Sequence, residues 1–389
     1  MKPFRIDIPQ EAIEDLRRRL TQTRWPSQIE GTGWSRGVPV DYLRSLAQAW
    51  ADEFDWRAVE SRLNQYPQFT TEIDGANIHF FHVRSPEPDA TPLIMTHGWP
   101  GSVAEYLDVI GPLTDPRAHG GDPAAAYHLV IPTPPGFGFS GPTTEQGWDI
   151  GRIAAAWAEL MARLGYEKYA VQGSDLGTWI SMALSAMDHE HVIGAHVNFL
   201  LTPPPDNPEI MGTLTPEDFQ RLGTMGSWIT EKSAYMWVQS TRPQTLSYAL
   251  TDSPVGQLAW MVEKFREWTD PAAELPEQAV DLDQLLTGVS VSWFTRAGAS
   301  SAHGTYEGMQ AYRAMVERQA SGGGAPPEGP PGPPTGVAVF AADTGIRSLL
   351  DPAGTMEHWT EYDSGGHFPA MEVPELLTGD VRDFFRRHR

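Results

Sequence analysis

The sequence predicts an α/β fold in which a mostly parallel sheet is covered by helices on both faces. Short buried strands alternate with amphipathic helices over residues 69–200. Helical periodicity without clear strands fills residues 202–320, and an apolar strand returns over residues 337–342. Strands that alternate with helices are typical of parallel sheets, because each crossover helix packs back onto the sheet.

Composition limits the function classes that the chain can serve. It has 389 residues, a formal net charge of −22 and no cysteine. Such acidity disfavours nucleic acid and anionic membranes as partners, because both attract basic surfaces. Disulfides and thiol chemistry are excluded. Neither a membrane span nor the apolar core of a signal peptide is found in the sequence, so we expect a cytoplasmic enzyme.

The first part of the chain, residues 1–70, is interpreted as an N-terminal meander. A helix is expected over residues 9–21, because Pro9 suits its first position and apolar residues recur on one face. A second helix capped by Asp41 and a third near Trp56 follow. No catalytic cluster occurs here, so we expect this segment to pack on the rest of the protein.

The first part of the core, residues 71–201, opens with a hairpin. Strands are expected over residues 69–73 and 78–83, because Asp74 and Gly75 between them favour a tight turn. The other elements expected here are strands at 93–96, 128–131, 169–171 and 192–200, and helices at 103–110, 150–164 and 176–187.

The pattern changes after this part of the core. Residues 202–320 are interpreted as an inserted helical cap. Residues 321–334 are rich in Gly and Pro and low in complexity, which indicates a loop. Residues 335–389 return to the core, with a strand over 337–342 and a last helix over 374–388.

The turn at residues 173–177 is the most informative motif. A short strand precedes it, a helix begins at Leu176, and glycines flank the turn. This is the layout of a nucleophile elbow, whose central side chain points out at the top of a sheet. The central residue is usually Ser, but here it is Asp175. An Asp that merely caps the following helix is the alternative interpretation.

An aspartate at the centre of the elbow changes the chemistry. With a reference pKa of about 3.9, its carboxylate is already ionised at neutral pH, whereas a serine needs a base to become a nucleophile. Asp175 can attack an sp³ carbon and form an alkyl ester, which indicates epoxide opening or carbon–halogen displacement. A serine esterase acting through Ser174 is disfavoured, because that side chain should point away from the apex.

Two further candidates complete a catalytic set. The order Asp175, Asp343, His367 is the chain order of nucleophile, acid and histidine in the α/β-hydrolase fold. We expect all three at the carboxyl ends of the parallel strands, where ligands and catalytic groups gather. The backbone N–H groups of Trp99 and Leu176 are assigned to the oxyanion hole.

Several motifs together cover nearly the whole chain. They lie at residues 4–6, 16–20, 23–26, 97–102, 135–140, 173–177, 365–368, 372 and 374–376. With them the chain resembles the epoxide hydrolases of the microsomal type, including soluble bacterial members, and more closely those of enediyne antibiotic biosynthesis. The resemblance implies an α/β-hydrolase fold with an N-terminal meander and an inserted helical cap. It also implies an aryl-type epoxide and water as substrates; no cofactor or metal is expected, and a homodimer is left open.

The resemblance further implies two cap tyrosines that hold the epoxide oxygen, and Tyr235 and Tyr306 match their positions. Three features depart from the family pattern. The acid is often Glu but here is Asp343, the residue after the nucleophile is often Trp but here is Leu176, and residues 302–305 differ from the usual motif before the second tyrosine.

The implied mechanism has two steps. Asp175 attacks an epoxide carbon while the two tyrosines hydrogen-bond the oxygen and donate a proton to it. His367, oriented by Asp343, then activates the water that cleaves the ester, and the Trp99 and Leu176 amides stabilise the oxyanion. The alternatives are a haloalkane dehalogenase, which often has a halide-binding Trp where this chain has Leu176, and a non-catalytic binding protein of the same fold.

Overall fold

A computed structural model describes residues 1–202, 205, 208–321 and 332–388. These residues form a nine-stranded sheet with helices packed around it. The strands are β1 (Lys2–Phe4), β2 (Gln68–Ile73), β3 (Ala76–Val83), β4 (Thr91–Thr96), β5 (Tyr127–Pro132), β6 (Tyr169–Ser174), β7 (Val192–Asn198), β8 (Thr335–Val339) and β9 (His358–Glu361).

The sheet order is β1-β2-β3-β5-β4-β6-β7-β8-β9. The β1–β2, β2–β3 and β3–β5 pairs are antiparallel. The five remaining pairs, β5–β4, β4–β6, β6–β7, β7–β8 and β8–β9, are parallel. Every residue of β5 and β6 is buried, as expected for central strands covered on both faces. The predicted α/β class is therefore confirmed.

The helices surround this sheet. They are α1 (Gln10–Thr21), α2 (Val40–Asp52), α3 (Trp56–Leu63), α4 (Leu107–Thr114), α5 (Ile150–Arg163), α6 (Leu176–Met187), α7 (Pro208–Met211), α8 (Pro216–Ser227), α9 (Ala234–Thr241), α10 (Pro243–Asp252), α11 (Pro254–Trp268), α12 (Leu282–Thr295), α13 (Ala297–Ala320), α14 (Arg347–Leu350), α15 (Pro369–Glu372) and α16 (Pro374–Phe385). Among the described residues, none of these helices is long and apolar enough to cross a membrane.

The hairpin between β2 and β3 is confirmed. Its turn consists of Asp74 and Gly75, with φ of 48° and 78°. Two positive φ angles give the turn a twist that matches the paired strands, which explains why an Asp-Gly pair predicts it.

Some predicted boundaries and caps are wrong. Helix α2 begins at Val40 after Pro39, so Asp41 lies in the first turn and makes no capping bond; its charge still faces the positive end of the helix dipole. The helix expected over residues 103–110 is split into a 3₁₀ turn, Val103–Tyr106, followed by α4. The edge strands β1 and β9, of three and four residues, were not predicted.

The strand expected over residues 337–342 ends early, at Val339. The chain then turns, and the Asp343 N–H donates to the Phe340 carbonyl at 2.8 Å. This turn places the Asp343 side chain at the carboxyl end of β8. The predicted last helix ends at Phe385.

The N-terminal segment packs on the rest of the protein, as expected, and α11 and α12 provide part of this contact. The apolar faces of α1, α2 and α3 join the same buried cluster as α11 and α12. The Trp50 indole N–H donates to Ser290 Oγ at 2.8 Å across this interface. Helices α7 to α13 lie between β7 and β8 in the chain, as an insertion does. Of the expected Gly/Pro-rich loop, residues 322–331 lie outside the described residues.

Candidate active site

Asp175 occupies a sharp turn between β6 and α6. Its φ of 55° and ψ of −120° are rare for a residue with a side chain. The turn requires its flanking glycines. A Cβ at Gly173 would lie 2.0 Å from the Gly177 carbonyl oxygen, and a Cβ at Gly177 would lie 1.8 Å from the Thr96 carbonyl oxygen. The Asp175 side chain makes no capping hydrogen bond to α6, which argues against the alternative interpretation as a helix cap.

Ser174 faces the other way. Its hydroxyl accepts a hydrogen bond from Asn198 Nδ2 at 2.8 Å and donates to the His367 carbonyl at 3.4 Å. The residue is buried beneath the turn. It is therefore held within the sheet, away from the apex that a serine nucleophile would need.

The Asp175 carboxylate meets two of the predicted partners. Its Oδ1 accepts a hydrogen bond from the Trp99 backbone N–H at 2.8 Å, and its Oδ2 lies 3.7 Å from His367 Nε2. Leu176 is the first residue of α6, so its amide belongs to the first turn, where N–H groups have no partner within the helix. The structure therefore brings together the predicted nucleophile, the predicted base and one of the predicted amide donors.

His367 lies in the loop between β9 and α15 and is buried. Burial lowers its pKa, an effect that the Asp175 charge and the Trp99 backbone oppose. The imidazole packs edge-on against Phe199, with ring centres 4.4 Å apart, and against Trp268 at 4.8 Å. Burial therefore favours the neutral imidazole, which is the form that acts as a base.

The histidine loop is tied to the end of α11. The His367 N–H donates to the Trp268 carbonyl at 2.8 Å. The Glu372 carboxylate accepts N–H bonds from Asp270 at 2.7 Å and Phe368 at 3.0 Å. Burial raises the pKa of Glu372 to about 7, although these two hydrogen bonds oppose the rise. The loop position thus depends on the cap as well as on the core.

Asp343 lies beside the histidine without a hydrogen bond to it. Burial raises the pKa of Asp343 to about 7, although backbone N–H groups of Phe340 and Phe199 and the charge of Arg221 lower it. The Phe340 N–H donates to its Oδ2 at 2.9 Å. Within the described part of the chain, His367 Nδ1 is buried and has no hydrogen-bond partner. The expected Asp343–His367 contact therefore stays a prediction.

Tyr235, on α9, lies within the electrostatic reach of the nucleophile. Its ring stacks on Trp99, with centres 4.9 Å apart and planes 8° from parallel, and packs edge-on against Trp268 at 5.3 Å. Burial, followed by the Asp175 charge, holds its pKa well above the usual range. The phenol is therefore protonated at neutral pH, as a proton donor must be.

Tyr306, on α13, is less clearly placed. Helix α13 packs along α9, and the neighbouring Thr305 hydroxyl donates to Gln239 Oε1 at 3.0 Å. Among the described residues, Tyr306 has none of the aromatic contacts that hold Tyr235. Its role as the second oxygen-binding tyrosine stays a prediction.

A small cavity of about 70 Å³ adjoins the histidine. It is lined by Phe199, Leu201, Thr224, Met225, Trp228, Lys232, Glu267, Trp268, Ala342, Asp343, Thr344 and His367. Half of these residues are aromatic or aliphatic, and the lining also includes the charged residues Lys232, Glu267 and Asp343. Within the described residues, no grouping of His, Asp and Glu side chains is suited to holding a metal ion.

Sequence reasoning missed two buried charged residues, Lys264 beside the Tyr235 ring and Glu105 near Asp175. Lys264 is 1% exposed and lies on the apolar face of α11. It comes three residues after Met261 and four before Trp268, and this helical spacing could have predicted from the sequence that its side chain is buried. The buried Glu105 carboxyl packs against Gly101, and burial together with the Asp175 charge raises its pKa well above the usual range.

Comparison with known proteins agrees with this geometry. A family description named "Epoxide hydrolase N terminus" matches residues 1–106, and one named "alpha/beta hydrolase fold" matches residues 91–269. The second match agrees with the observed sheet and confirms the α/β-hydrolase fold that the sequence predicts.

Full-length relatives carry the same name. The chain is 42% identical over 390 residues to a protein of Stigmatella aurantiaca whose epoxide hydrolase name is provisional, covering 100% of this chain and 85% of that protein. It is 32% identical to Epoxide hydrolase 1 of Sus scrofa, covering 99% and 88%. The crystal structure of juvenile hormone epoxide hydrolase from the silkworm Bombyx mori superposes with a TM-score of 0.85 at 30% identity, covering 100% and 94%.

Proposed function

Because this chain belongs to the epoxide hydrolase family, we propose that it opens its epoxide through a covalent alkyl ester on Asp175. The observation that carries this proposal is the position of the Asp175 carboxylate. One oxygen accepts the Trp99 N–H at 2.8 Å, and the other lies 3.7 Å from His367 Nε2. The first oxygen is held as the future ester carbonyl, while the second is free to attack.

In the first step, Asp175 Oδ2 forms a bond to an epoxide carbon as the carbon–oxygen bond of the ring breaks. The leaving oxygen stays in the substrate and takes a proton from Tyr235, with Tyr306 as the second donor. An alkoxide is a poor leaving group, so proton donation of this kind typically contributes 10²–10⁴-fold in rate. The product of this step is an alkyl ester and a phenolate.

In the second step, His367 removes a proton from water, and the water oxygen attacks the ester carbonyl to form a tetrahedral oxyanion. This oxyanion collapses as the bond from the carbonyl carbon to Oδ2 breaks, and Oδ2 leaves in the diol with the remaining water proton. The oxyanion forms on Oδ1, where the Trp99 N–H already donates and the Leu176 amide is the second donor. Loss of one such donor typically costs about 3–4 kcal/mol of barrier. Formation of the imidazolium would draw Asp343 to the unpartnered His367 Nδ1.

The aromatic surroundings support an aryl-type epoxide as substrate. Trp228, Trp268 and Phe199 line the cavity beside His367, and flat rings offer large apolar area to an aromatic substrate. A role in natural-product biosynthesis is part of the proposal and rests on the resemblance to enediyne pathway enzymes. A cytoplasmic location and a homodimer stay predictions.

The haloalkane dehalogenase alternative is weaker. A departing halide has to be stabilised by N–H donors, often from a Trp side chain directly after the nucleophile, and Leu176 carries no donor in its side chain. A tyrosine hydroxyl near the nucleophile suits an epoxide oxygen instead, because that oxygen must gain a proton.

The test is a His367→Gln variant mixed with styrene oxide. Attack by Asp175 needs no base, so the ester should form and accumulate because its hydrolysis has lost the base. Intact-protein mass spectrometry should show one added substrate mass. The matched control is the double variant with Asp175→Ala, which should show none. No adduct on His367→Gln, with substrate binding demonstrated, would reject the covalent mechanism.

A further inference from the structure

We propose that Lys264 is a positioning residue for epoxide opening: its buried ammonium lies over the Tyr235 ring and favours transfer of the phenolic proton to the epoxide oxygen. The inference rests on the proposed role of Tyr235 as proton donor. It assigns to a lysine on α11 a part in the reaction that reaches the substrate only through the tyrosine.

The helix dictates where Lys264 lies. Residues three and four apart share a face, so Lys264, Glu267 and Trp268 point together from α11 towards the site. The Lys264 side chain is 1% exposed, and its Nζ contacts Glu267 Oε2 and Glu263 Oε1, each at 2.7 Å. A buried lysine is rare and costly unless it is paired. These two carboxylates therefore give the buried Lys264 the ion pairs that it needs.

The charged group is directed at the tyrosine ring. Lys264 Nζ lies 4.8 Å from the centre of the Tyr235 ring and 5.7 Å from that of Trp268. Both distances are within the range over which a cation is attracted to an aromatic face. Trp99 stacks on the same tyrosine and restricts its movement. The ammonium and the phenol are thus held in a fixed relation before substrate arrives.

A positive charge near Tyr235 would favour loss of its phenolic proton, which the other surroundings of the tyrosine oppose. Burial, the Asp175 carboxylate and the Glu267 carboxylate all raise the pKa of Tyr235, which makes it a poorer acid. Glu267 is itself faced by Lys264 and Lys232, both of which lower its pKa against burial. When the phenolic proton moves to the epoxide oxygen, negative charge appears on the tyrosine, and the Lys264 ammonium is the cation over its ring.

The proton balance closes over the cycle. Tyr235 gives its proton to the epoxide oxygen as the Asp175–carbon bond forms, which leaves a phenolate. His367 later takes one proton from water, and the second water proton goes to the diol oxygen that is released when the ester bond breaks. Return of the His367 proton to the phenolate restores both groups. Epoxide and water are consumed and one diol is released. Lys264 keeps its own protons throughout, so it acts only by charge.

Three variants separate this role from ordinary structural support, with the alkylation rate measured in single turnovers with styrene oxide and excess enzyme. Lys264→Met should slow alkylation about tenfold to thirtyfold, the size of a desolvated cation–π contact. Lys264→Arg, which keeps the charge, should stay within about threefold of wild type. Glu267→Gln removes an opposing negative charge and should speed alkylation.

Rescue by Lys264→Arg is the sharpest arm. A lysine that only supports the structure predicts similar rates for Lys264→Arg and Lys264→Met, and that result would overturn the inference. Acceleration in Glu267→Gln is expected whichever role Lys264 has, because the Glu267 carboxylate itself raises the pKa of Tyr235; a rate that does not rise would contradict the charge reasoning and overturn the inference. If Lys264→Met fails to fold, Lys264→Gln takes its place, and a rate within threefold of wild type would overturn the inference.

A double-variant cycle distinguishes failure of the inference from failure of the proposed function. In a Tyr235→Phe background, Lys264→Met should cost less than threefold, because no phenolic proton remains to be moved. An equal cost in both backgrounds would overturn the inference alone. A wild-type rate in Tyr235→Phe itself would instead reject Tyr235 as the proton donor.

Discussion

Gly98 should be indispensable for the reaction although it has no side chain. It follows β4 and packs directly on Asp175, the proposed nucleophile. A Cβ added there would lie 2.2 Å from Asp175 Oδ1 and 2.3 Å from Asp175 Cβ. Ordinary van der Waals contact begins near 3.4 Å. The Asp175 Oδ1 atom, at 2.2 Å, would therefore have to move about 1.2 Å away from the new Cβ.

The expected effect of Gly98→Ala follows from that displacement. Moving the carboxylate breaks its hydrogen bond with the Trp99 N–H and misaligns the attack, and a misplacement of about 1 Å can cost about 10²-fold in rate. Overpacking of a tight site typically destabilises a protein by 1–3 kcal/mol. We therefore expect alkylation to fall about a hundredfold in a protein that still folds.

Quenched single-turnover reactions with styrene oxide measure the alkylation rate. Chemical denaturation, monitored by circular dichroism, measures the free energy of unfolding. The matched control is Gly288→Ala on α12, where an added Cβ meets nothing within 4 Å. That variant should keep the wild-type rate and gain about 0.5–1 kcal/mol in stability. A folded Gly98→Ala protein with a rate within threefold of wild type would refute the reasoning.

Three other predictions concern the second tyrosine, the base and a buried network. Tyr306→Phe should slow alkylation at least tenfold if its hydroxyl binds the epoxide oxygen; a wild-type single-turnover rate would show that another donor serves. Because burial lowers the pKa of His367 from 6.5, the acid limb of ester hydrolysis should lie below pH 6.5, and a limb above that value would contradict the buried, neutral base. Asp380 accepts hydrogen bonds from His196 and His358, each at 2.8 Å, and from Tyr362 at 2.7 Å. Burial alone would raise its pKa, but these bonds hold the pKa well below the usual range. Its ionised form therefore stabilises the fold above about pH 4, and Asp380→Asn should lose about 1.5–3 kcal/mol at pH 7 and progressively less as the pH falls below 4; a pH-independent loss would reject this.

The elbow and its helix were predictable because local chemistry determines them. The glycines at 173 and 177 leave room that no other residue could, and α6 spans the predicted residues 176–187. The hairpin turn at Asp74 and Gly75 was predictable for the same reason. In each case a few adjacent residues define the backbone.

Features that depend on contacts between distant segments were not predictable. Whether Asp343 reaches His367 depends on a turn after β8 and on the backbone of Phe199. Lys264 was missed because a lysine in a helix is normally exposed; its place on the apolar stripe of α11 hints at burial, but the contact with the Tyr235 ring is tertiary and shows only in the structure. Edge strands as short as β1 and β9 carry too few residues to show an alternating pattern.

The central claim is that Asp175 forms an ester, and the origin of the diol oxygen tests it most directly. One turnover with excess enzyme in ¹⁸O-water, followed by mass analysis of the diol and of the peptide containing Asp175, gives the answer. If water attacks the ester carbonyl, the new hydroxyl comes from the carboxylate, so the first diol is unlabelled and Asp175 gains the label. A fully labelled first diol, with Asp175 unlabelled, would show that water attacks the epoxide directly and would contradict the covalent mechanism.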